Sequence, residues 1–142
     1  MKNLRILIDT NIILDWLLHR EPFHNNAEYI IEKCMSGNVD GYLTAHMMSD
    51  LFYILRKKLT VGKRKDLLIF LCDIMEIIVE DKKTIRKALC NEQWMDLEDG
   101  LQMQCADKEK MDYIVTRNIR DFKMSKVLAI EPEQFIEIYK TQ

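Results

Sequence analysis

Four aspartates stand at places in the sequence where their carboxylates could act together on one ligand. Asp9 ends an apolar run, and three further aspartates lie in or beside later elements: Asp50, Asp99 and Asp121. Converging carboxylates, without histidine or cysteine among them, are typical of sites for Mg²⁺ or Mn²⁺, because these hard cations prefer oxygen ligands. The residue types therefore indicate a site for a divalent cation, provided that the fold brings the four carboxylates together.

The first of these carboxylates follows a short buried strand. Residues 4–8 form an apolar run typical of a central strand in a parallel sheet, and Asp9 stands at its carboxyl end. In open α/β sheets, ligands bind beyond the carboxyl ends of the strands. Thr10 and Asn11 come next, and either could cap the following helix. The alternative interpretation is that Asp9 caps this helix and does no chemistry.

The rest of the chain alternates between strand and helix patterns. Further strands are expected at 42–44, 76–79, 113–115 and 127–129. Helices are expected at 12–18, 24–36, 45–58, 64–74, 82–90, 96–108 and 132–139, with Gly62 as the break before the fourth. This alternation predicts one three-layer α/β/α domain over residues 1–142, with a mostly parallel central sheet of about five strands.

Composition narrows the class of protein further. The net charge of −2 gives no global sign of nucleic-acid binding, although a local basic patch remains compatible with it. The four cysteines lack metal-type spacing, and no apolar run approaches the ~20 residues of a membrane span. The sequence shows no signal peptide. We therefore expect a cytoplasmic protein, with no membrane partner and with reduced cysteines.

Four segments, taken in order, resemble those of PIN-domain ribonucleases, and most closely the VapC-like toxin branch of bacteria and archaea. The segments are Asp9-Thr10-Asn11, the stretch 44–50, the stretch 96–99 and the stretch 112–122. The resemblance covers about residues 4–130. It implies a metal-dependent endoribonuclease that cleaves single-stranded RNA with one or two Mg²⁺ or Mn²⁺ ions. It further implies the toxin of a type II toxin–antitoxin pair.

The resemblance also assigns roles to individual residues. The first three catalytic and metal-binding acids match Asp9, Asp50 and Asp99, and many family members carry the longer Glu at the second position. Some members place the fourth acid where this chain has Asn118 and others where it has Asp121, and we favour Asp121. Polar support is expected from four residues: Asn11, Asp96, Thr116 and Asn118.

Basic residues next to the fourth motif predict the contacts to RNA. Arg117 and Arg120 are expected to meet the phosphate backbone, which needs local positive charge whatever the net charge of the chain. The alternative is that both lie on a solvated surface. The three histidines are scattered; His46 lies nearest to Asp50 but fits no ligand spacing. Asp96 is a candidate for indirect support, and otherwise provides favourable charge at a helix N-terminus, as Glu98 does.

Partners and rival functions complete the expectations. We expect an RNA substrate, a cognate antitoxin protein and a homodimer, with apolar residues such as Phe23, Tyr53 and Phe70 supplying a face if they are exposed. One rival is a phospho-acceptor signalling module, in which Asp9 binds a metal, Asp81 accepts phosphate and Thr116 acts as a switch. The other is a catalytically silent PIN domain that binds RNA or protein.

Overall fold

The computed structural model describes residues 2–93 and 96–142 of the chain. Five strands form one sheet: β1 (Arg5–Ile8), β2 (Asp40–Thr44), β3 (Glu76–Ile78), β4 (Tyr113–Val115) and β5 (Ala129–Ile130). The helices of this part of the chain are α1 (Thr10–Leu17), α2 (His24–Met35), α3 (Ala45–Ile54), α4 (Val61–Ile74), α5 (Lys82–Cys90), α6 (Leu97–Lys108) and α7 (Pro132–Thr141). Two 3₁₀ turns span Leu55–Lys57 and Ile119–Phe122.

The sheet is parallel throughout its described strand pairs and has the order β3-β2-β1-β4-β5. Its central strand β1 is buried on both faces, with Ile6, Leu7 and Ile8 fully inaccessible to solvent. The chain moves outward from β1 through β2 to β3, and then returns to place β4 on the other side of β1. This reversal opens a crevice at the carboxyl ends of β1 and β4, where ligands bind in open α/β sheets.

Helices cover both faces of this sheet. Since crossover connections between parallel strands are right-handed, the outward connections place α1–α4 on one face and the returning connection places α5 and α6 on the other. Helix α7 packs on α2, and α5 packs along α6. The predicted three-layer architecture is thus confirmed. None of the helices in the described ranges has the length and apolar character that a membrane crossing requires.

Two local expectations about helix starts were wrong. Gly62 does not separate two helices, because α4 begins at Val61, and Thr60 caps it by accepting a hydrogen bond from the Lys63 backbone N–H at 3.2 Å. Neither Thr10 nor Asn11 caps α1, since both lie within the helix and Asp9 occupies the N-cap position. The Asp9 carboxylate therefore sits at a helix N-terminus and at a strand end together.

Candidate functional site

The carboxyl ends of β1 and β4 are joined by hydrogen bonds around Asp9. The Thr116 hydroxyl donates to Asp9 Oδ2 at 2.7 Å, and both residues are buried. The backbone N–H of Asn118 donates to the same Thr116 hydroxyl oxygen at 3.0 Å, while the Asp9 N–H donates to the Val115 carbonyl. The orientation of the Asp9 carboxylate is thereby fixed by the strand on the far side of the switch point.

Polar contacts oppose the cost of burying Asp9. Burial raises the pKa of Asp9, while hydrogen bonds from Thr116, from the backbone N–H of Thr10, from Gln102 and from the backbone N–H of Asn11 lower it. Gln102 lies in α6, three residues after Asp99, and is itself buried. Gln102 was not among the residues predicted for the site, although its spacing from Asp99 places both side chains on one face of α6.

Asp99 lies within an accumulation of negative charge. Its pKa is raised to about 6, first by burial and then, in this order, by the charges of Asp96, Asp121, Asp9 and Glu98. Asp96 also caps α6, since its Oδ1 accepts a hydrogen bond from the Asp99 backbone N–H at 3.0 Å. Carboxylates influence one another in this way only at short range. Asp9, Asp99 and Asp121, here called the acidic cluster, therefore lie near enough for their charges to interact, but their ligand atoms do not all lie within 4.8 Å of one another.

Asp50 lies in a neighbouring group with His46 and Glu98. One potential ligand atom from each of these three residues lies within 4.8 Å of the others. Burial, followed by the charge of Asp50, raises the pKa of Glu98. Because Glu98 precedes Asp99 directly, it connects this group to the acidic cluster.

Glu80 fixes the imidazole of His46. Glu80 Oε1 accepts a hydrogen bond from the His46 backbone N–H at 2.6 Å, and Glu80 Oε2 lies 2.6 Å from His46 Nδ1. The imidazole thus keeps only Nε2 for another ligand. Neither His46 nor Glu80 was predicted to have a role, and Glu98 was predicted only to provide charge at a helix N-terminus. Glu80 follows the end of β3, so the rule that singled out Asp9 at a strand end would also have found it.

These donor sets fit a hard divalent cation. Carboxylate oxygens come from Asp9, Asp99 and Asp121. A bound cation would relieve the repulsion between these carboxylates, which contributes to the raised pKa of Asp99. The amide oxygen of Gln102 is buried and, within the described part of the chain, has no hydrogen-bond partner. Buried acceptors in a closed protein core normally have a hydrogen-bond partner. An unpartnered oxygen beside Asp9 therefore suits contact with a metal ion or with a water bound to it.

Arg117 has a contact that the sequence analysis did not anticipate. Its guanidinium binds Asp15 with two hydrogen bonds, Nε to Oδ2 at 2.7 Å and Nη2 to Oδ1 at 3.1 Å. The Asp15 side chain is only 1% exposed, and the guanidinium also lies 3.9 Å from the centroid of the Phe23 ring. The charge of Arg117 is therefore already matched, whereas Arg120 lies exposed on the 3₁₀ turn. Contact of either arginine with RNA stays a prediction.

Asp81, the phosphate acceptor in the signalling alternative, serves as the N-cap of a helix. Asp81 caps α5, since its Oδ1 accepts hydrogen bonds from the Thr84 N–H at 2.9 Å and the Thr84 hydroxyl at 2.8 Å. It follows β3, the outer strand, which is separated from β1 by β2. Asp81 and Asp9 thus stand at the ends of strands that are not neighbours, which argues against a shared phospho-acceptor site.

The charge around Asp99 predicts a pH dependence of stability in metal-free protein. Between pH 3.8 and about 6 the folded chain keeps a proton on Asp99 that the unfolded chain has released, so stability falls as the pH rises through this window. Asp99→Asn removes this charge. The variant is expected to melt above the parent at pH 7, and the difference should shrink towards pH 4. Thermal melts in EDTA across this range measure the difference.

A second variant controls for the loss of any surface carboxylate. Asp73→Asn changes an exposed aspartate of α4 at the opposite edge of the sheet, and its difference from the parent should stay small at every pH. The expectation for Asp99 fails if Asp99→Asn melts below the parent at pH 7, or if its difference from the parent is independent of pH.

Comparison with known proteins agrees with this architecture. A family model described as a PIN domain matches residues 5–120. Among solved structures, a chain of a toxin–antitoxin complex from Klebsiella pneumoniae has a TM-score of 0.69 and 17% identity, covering 89% of this chain and 97% of that one. A chain of the VapBC2 complex from Rickettsia felis, bound to a DNA fragment from its promoter, has a TM-score of 0.64 and 19% identity, with coverages of 89% and 97%.

A third solved structure is more distant in sequence. The toxin VapC20 of Mycobacterium tuberculosis, described as cleaving the sarcin–ricin loop, has a TM-score of 0.60 and 11% identity, with coverages of 77% and 86%. No curated protein matches the chain at a significant level. At such low identities the solved structures establish the shared fold, whereas the family model spans most of the sequence. The chain belongs to the PIN-domain family.

Proposed function

We propose that this protein is a metal-dependent endoribonuclease that cleaves single-stranded RNA with Mg²⁺ or Mn²⁺. The observation that carries the proposal is the acidic cluster at the carboxyl edge of the sheet, where the neighbouring carboxylates Asp9 and Asp121 contribute to the raised pKa of Asp99. The cluster lies at the switch point between β1 and β4, where ligands of open α/β sheets bind. Family membership gives the expectation of a nuclease.

Each residue of the site has a distinct task in this proposal. Asp9, Asp99 and Asp121 hold the cation, and Thr116 keeps the Asp9 carboxylate turned towards it through the 2.7 Å hydrogen bond. A bound Mg²⁺ or Mn²⁺ would lower the pKa of a water and neutralise charge on the phosphate. Gln102 helps to lower the pKa of Asp9, and its buried amide oxygen, which has no partner in the described part of the chain, would be available to the cation or to a water.

Asp50 belongs to the proposed site through its neighbours. With Glu98 and His46 it offers two carboxylates and an imidazole beside the acidic cluster, a set that could hold a second cation. The short Asp50 side chain, where many family members have Glu, reaches Glu98 in this structure. Glu98 lies near Asp50 and directly precedes Asp99 in the chain, so it can supply a carboxylate between these two acids.

The surface beside the acidic cluster suits a polynucleotide. A cavity of about 620 Å³ has Asp121 in its wall, together with two exposed cations, Arg120 and Lys123. Positive groups next to a metal site attract the phosphates that flank the cleaved bond. Single strands fit such sites better than duplexes, because a flexible strand can present its backbone to a recessed cluster.

We further propose that the enzyme acts as the toxin of a toxin–antitoxin pair, with a cognate antitoxin protein as its partner. Support comes from the fold shared with chains of toxin–antitoxin complexes from Klebsiella pneumoniae and Rickettsia felis. We also propose a homodimer. Of the three aromatic residues expected at its interface, Tyr53 is 63% exposed and Phe23 is 40% exposed, whereas Phe70 is half-buried against Trp16.

The proposal is tested with a labelled single-stranded RNA of mixed sequence and with its duplex. The parent protein is expected to cleave the single strand internally when Mn²⁺ or Mg²⁺ is present, to stop when EDTA is added, and to cleave the duplex more slowly. Cleavage that continues undiminished in EDTA would overturn metal dependence. Stoichiometric binding of RNA without any cleavage would favour the catalytically silent alternative.

A further inference from the structure

A second cavity adjoins the one that contains Asp121. It has a volume of about 280 Å³, and its walls are Phe23, Asn26, Arg117, Glu131, Pro132 and Glu133. Arg117 and Glu131 line both cavities, so the two are neighbouring compartments along the same side of the sheet. A strand that passes the acidic cluster at Asp121 would therefore reach the Phe23 compartment within a short distance.

One of the two planar groups of this compartment, the Arg117 guanidinium, is fixed by hydrogen bonds, and it packs against the other, the Phe23 ring. The Arg117 guanidinium lies 3.9 Å from the centroid of the Phe23 ring, and its two hydrogen bonds to buried Asp15 prevent it from turning away. Phe23 remains 40% exposed despite this contact. An exposed aromatic ring packed against a fixed guanidinium offers a stacking surface that loses little conformational freedom when a ligand binds.

The charges distinguish what each cavity can hold. In the Phe23 compartment, the Arg117 charge is matched by Asp15, and the wall adds the carboxylates of Glu131 and Glu133. A phosphate would be repelled there, whereas an uncharged aromatic group would not. The cavity around Asp121 also contains the carboxylates of Asp121 and Glu131, but there the exposed cations Arg120 and Lys123 offset them and can contact phosphate.

We propose that the Phe23 compartment is a nucleobase subsite for single-stranded RNA. A base close to the cleaved phosphate stacks on the surface formed by Phe23 and Arg117, and the amide of Asn26 faces the same compartment with a donor and an acceptor for base edges. The neighbouring phosphates lie beside Arg120 and Lys123. This inference rests on the proposed RNA substrate and adds to it a place where the enzyme contacts a base.

The test measures RNA binding in a cleavage-inactive background, so that the RNA stays intact. The Asp9→Asn protein is titrated with a fluorescent single-stranded RNA, and with a series in which one base at a time is replaced by an abasic ribose. Phe23→Ala, added to this background, is expected to weaken binding of the intact RNA about 5- to 150-fold, since stacking on an aromatic ring contributes ~1–3 kcal/mol per base. Phe23→Tyr, which keeps the ring, should bind almost as the background does.

The abasic series separates stacking from a general disturbance of the protein. At the position of the stacked base, the abasic RNA should bind the background and Phe23→Ala proteins equally. This RNA already lacks the base that would stack on Phe23, so loss of the ring removes no further contact. The salt dependence of binding should be unchanged in Phe23→Ala, whereas Arg120→Ala should reduce its slope by about one. Phe52→Ala, which removes a half-buried ring with the Arg64 guanidinium over it at 4.3 Å, is the matched control and should bind like the background.

The outcomes for the subsite and for the proposed function are distinguishable. The subsite is overturned if Phe23→Ala binds intact RNA like the background, or if it weakens every abasic RNA as much as the intact one. Cleavage of the same RNA by the parent protein with Mn²⁺ would then leave the proposed function standing. If the parent does not cleave this RNA and the background does not bind it, the proposed function fails and the subsite fails with it.

Discussion

Asp9→Asn is expected to reduce the rate of RNA cleavage by more than about 100-fold with the fold intact, since removal of one fixed electrostatic contact to a transition state typically costs ~100- to 1,000-fold. Asp9 is buried at the switch point, and its carboxylate is oriented by Thr116. The amide keeps the shape of the side chain but removes the negative oxygen that the cation needs. Cleavage of a fluorogenic single-stranded RNA with Mn²⁺ measures the loss.

The control for this variant changes an aspartate of equal size elsewhere. Asp73→Asn lies at the opposite edge of the sheet and should cleave at the parental rate. The melting temperature of Asp9→Asn in EDTA should not fall far below that of the parent, because burial already penalises the charged form of Asp9. Parental cleavage by a folded Asp9→Asn protein would remove Asp9 from the site.

Arg117→Ala is expected to destabilise the fold by about 3–5 kcal/mol, the typical cost of leaving one partner of a buried ion pair without its counterpart. The affected group is Asp15, whose side chain is 1% exposed and which receives both hydrogen bonds of the Arg117 guanidinium. Arg20 approaches Asp15 only at 3.7 Å and is itself partly exposed. Urea denaturation of parent and variant gives the difference in the free energy of unfolding.

Two further variants locate the origin of this loss. Arg120→Ala, on the neighbouring 3₁₀ turn, removes an exposed guanidinium and should change the free energy of unfolding by no more than about 0.5 kcal/mol. Arg117→Lys keeps the charge but cannot form the two-point contact, so its loss should be intermediate. Equal stabilities for Arg117→Ala and Arg120→Ala would show that the Arg117–Asp15 pair contributes little.

The sequence allowed the sheet to be predicted because its strands are short, apolar and followed by polar residues. The run before Asp9 identified the central strand, and the rule that ligands bind beyond such strands identified Asp9 itself. The proximity of Asp99 and Asp121 followed from family resemblance rather than from spacing. Periodicity alone could not bring together residues that are far apart in the chain.

What the sequence could not supply were contacts between side chains distant in the chain. Asp15 lies inside a helix, and nothing in its neighbourhood shows that it is buried or that Arg117, 102 positions later, binds it. The imidazole of His46 is fixed by Glu80, which lies 34 positions later. Isolated acids and histidines are usually solvated, so these residues become meaningful only once the fold places their partners.

The central claim is that Asp9, Asp99 and Asp121 hold a divalent cation, and a crystal of the protein grown with Mn²⁺ tests it directly. The anomalous difference map is expected to show Mn²⁺ within coordination distance of the Asp9 and Asp99 carboxylates, and the same peak should be absent from Asp99→Asn crystals grown identically. No Mn²⁺ peak among these carboxylates in the parent at saturating Mn²⁺, or an undiminished peak in Asp99→Asn, would contradict the claim.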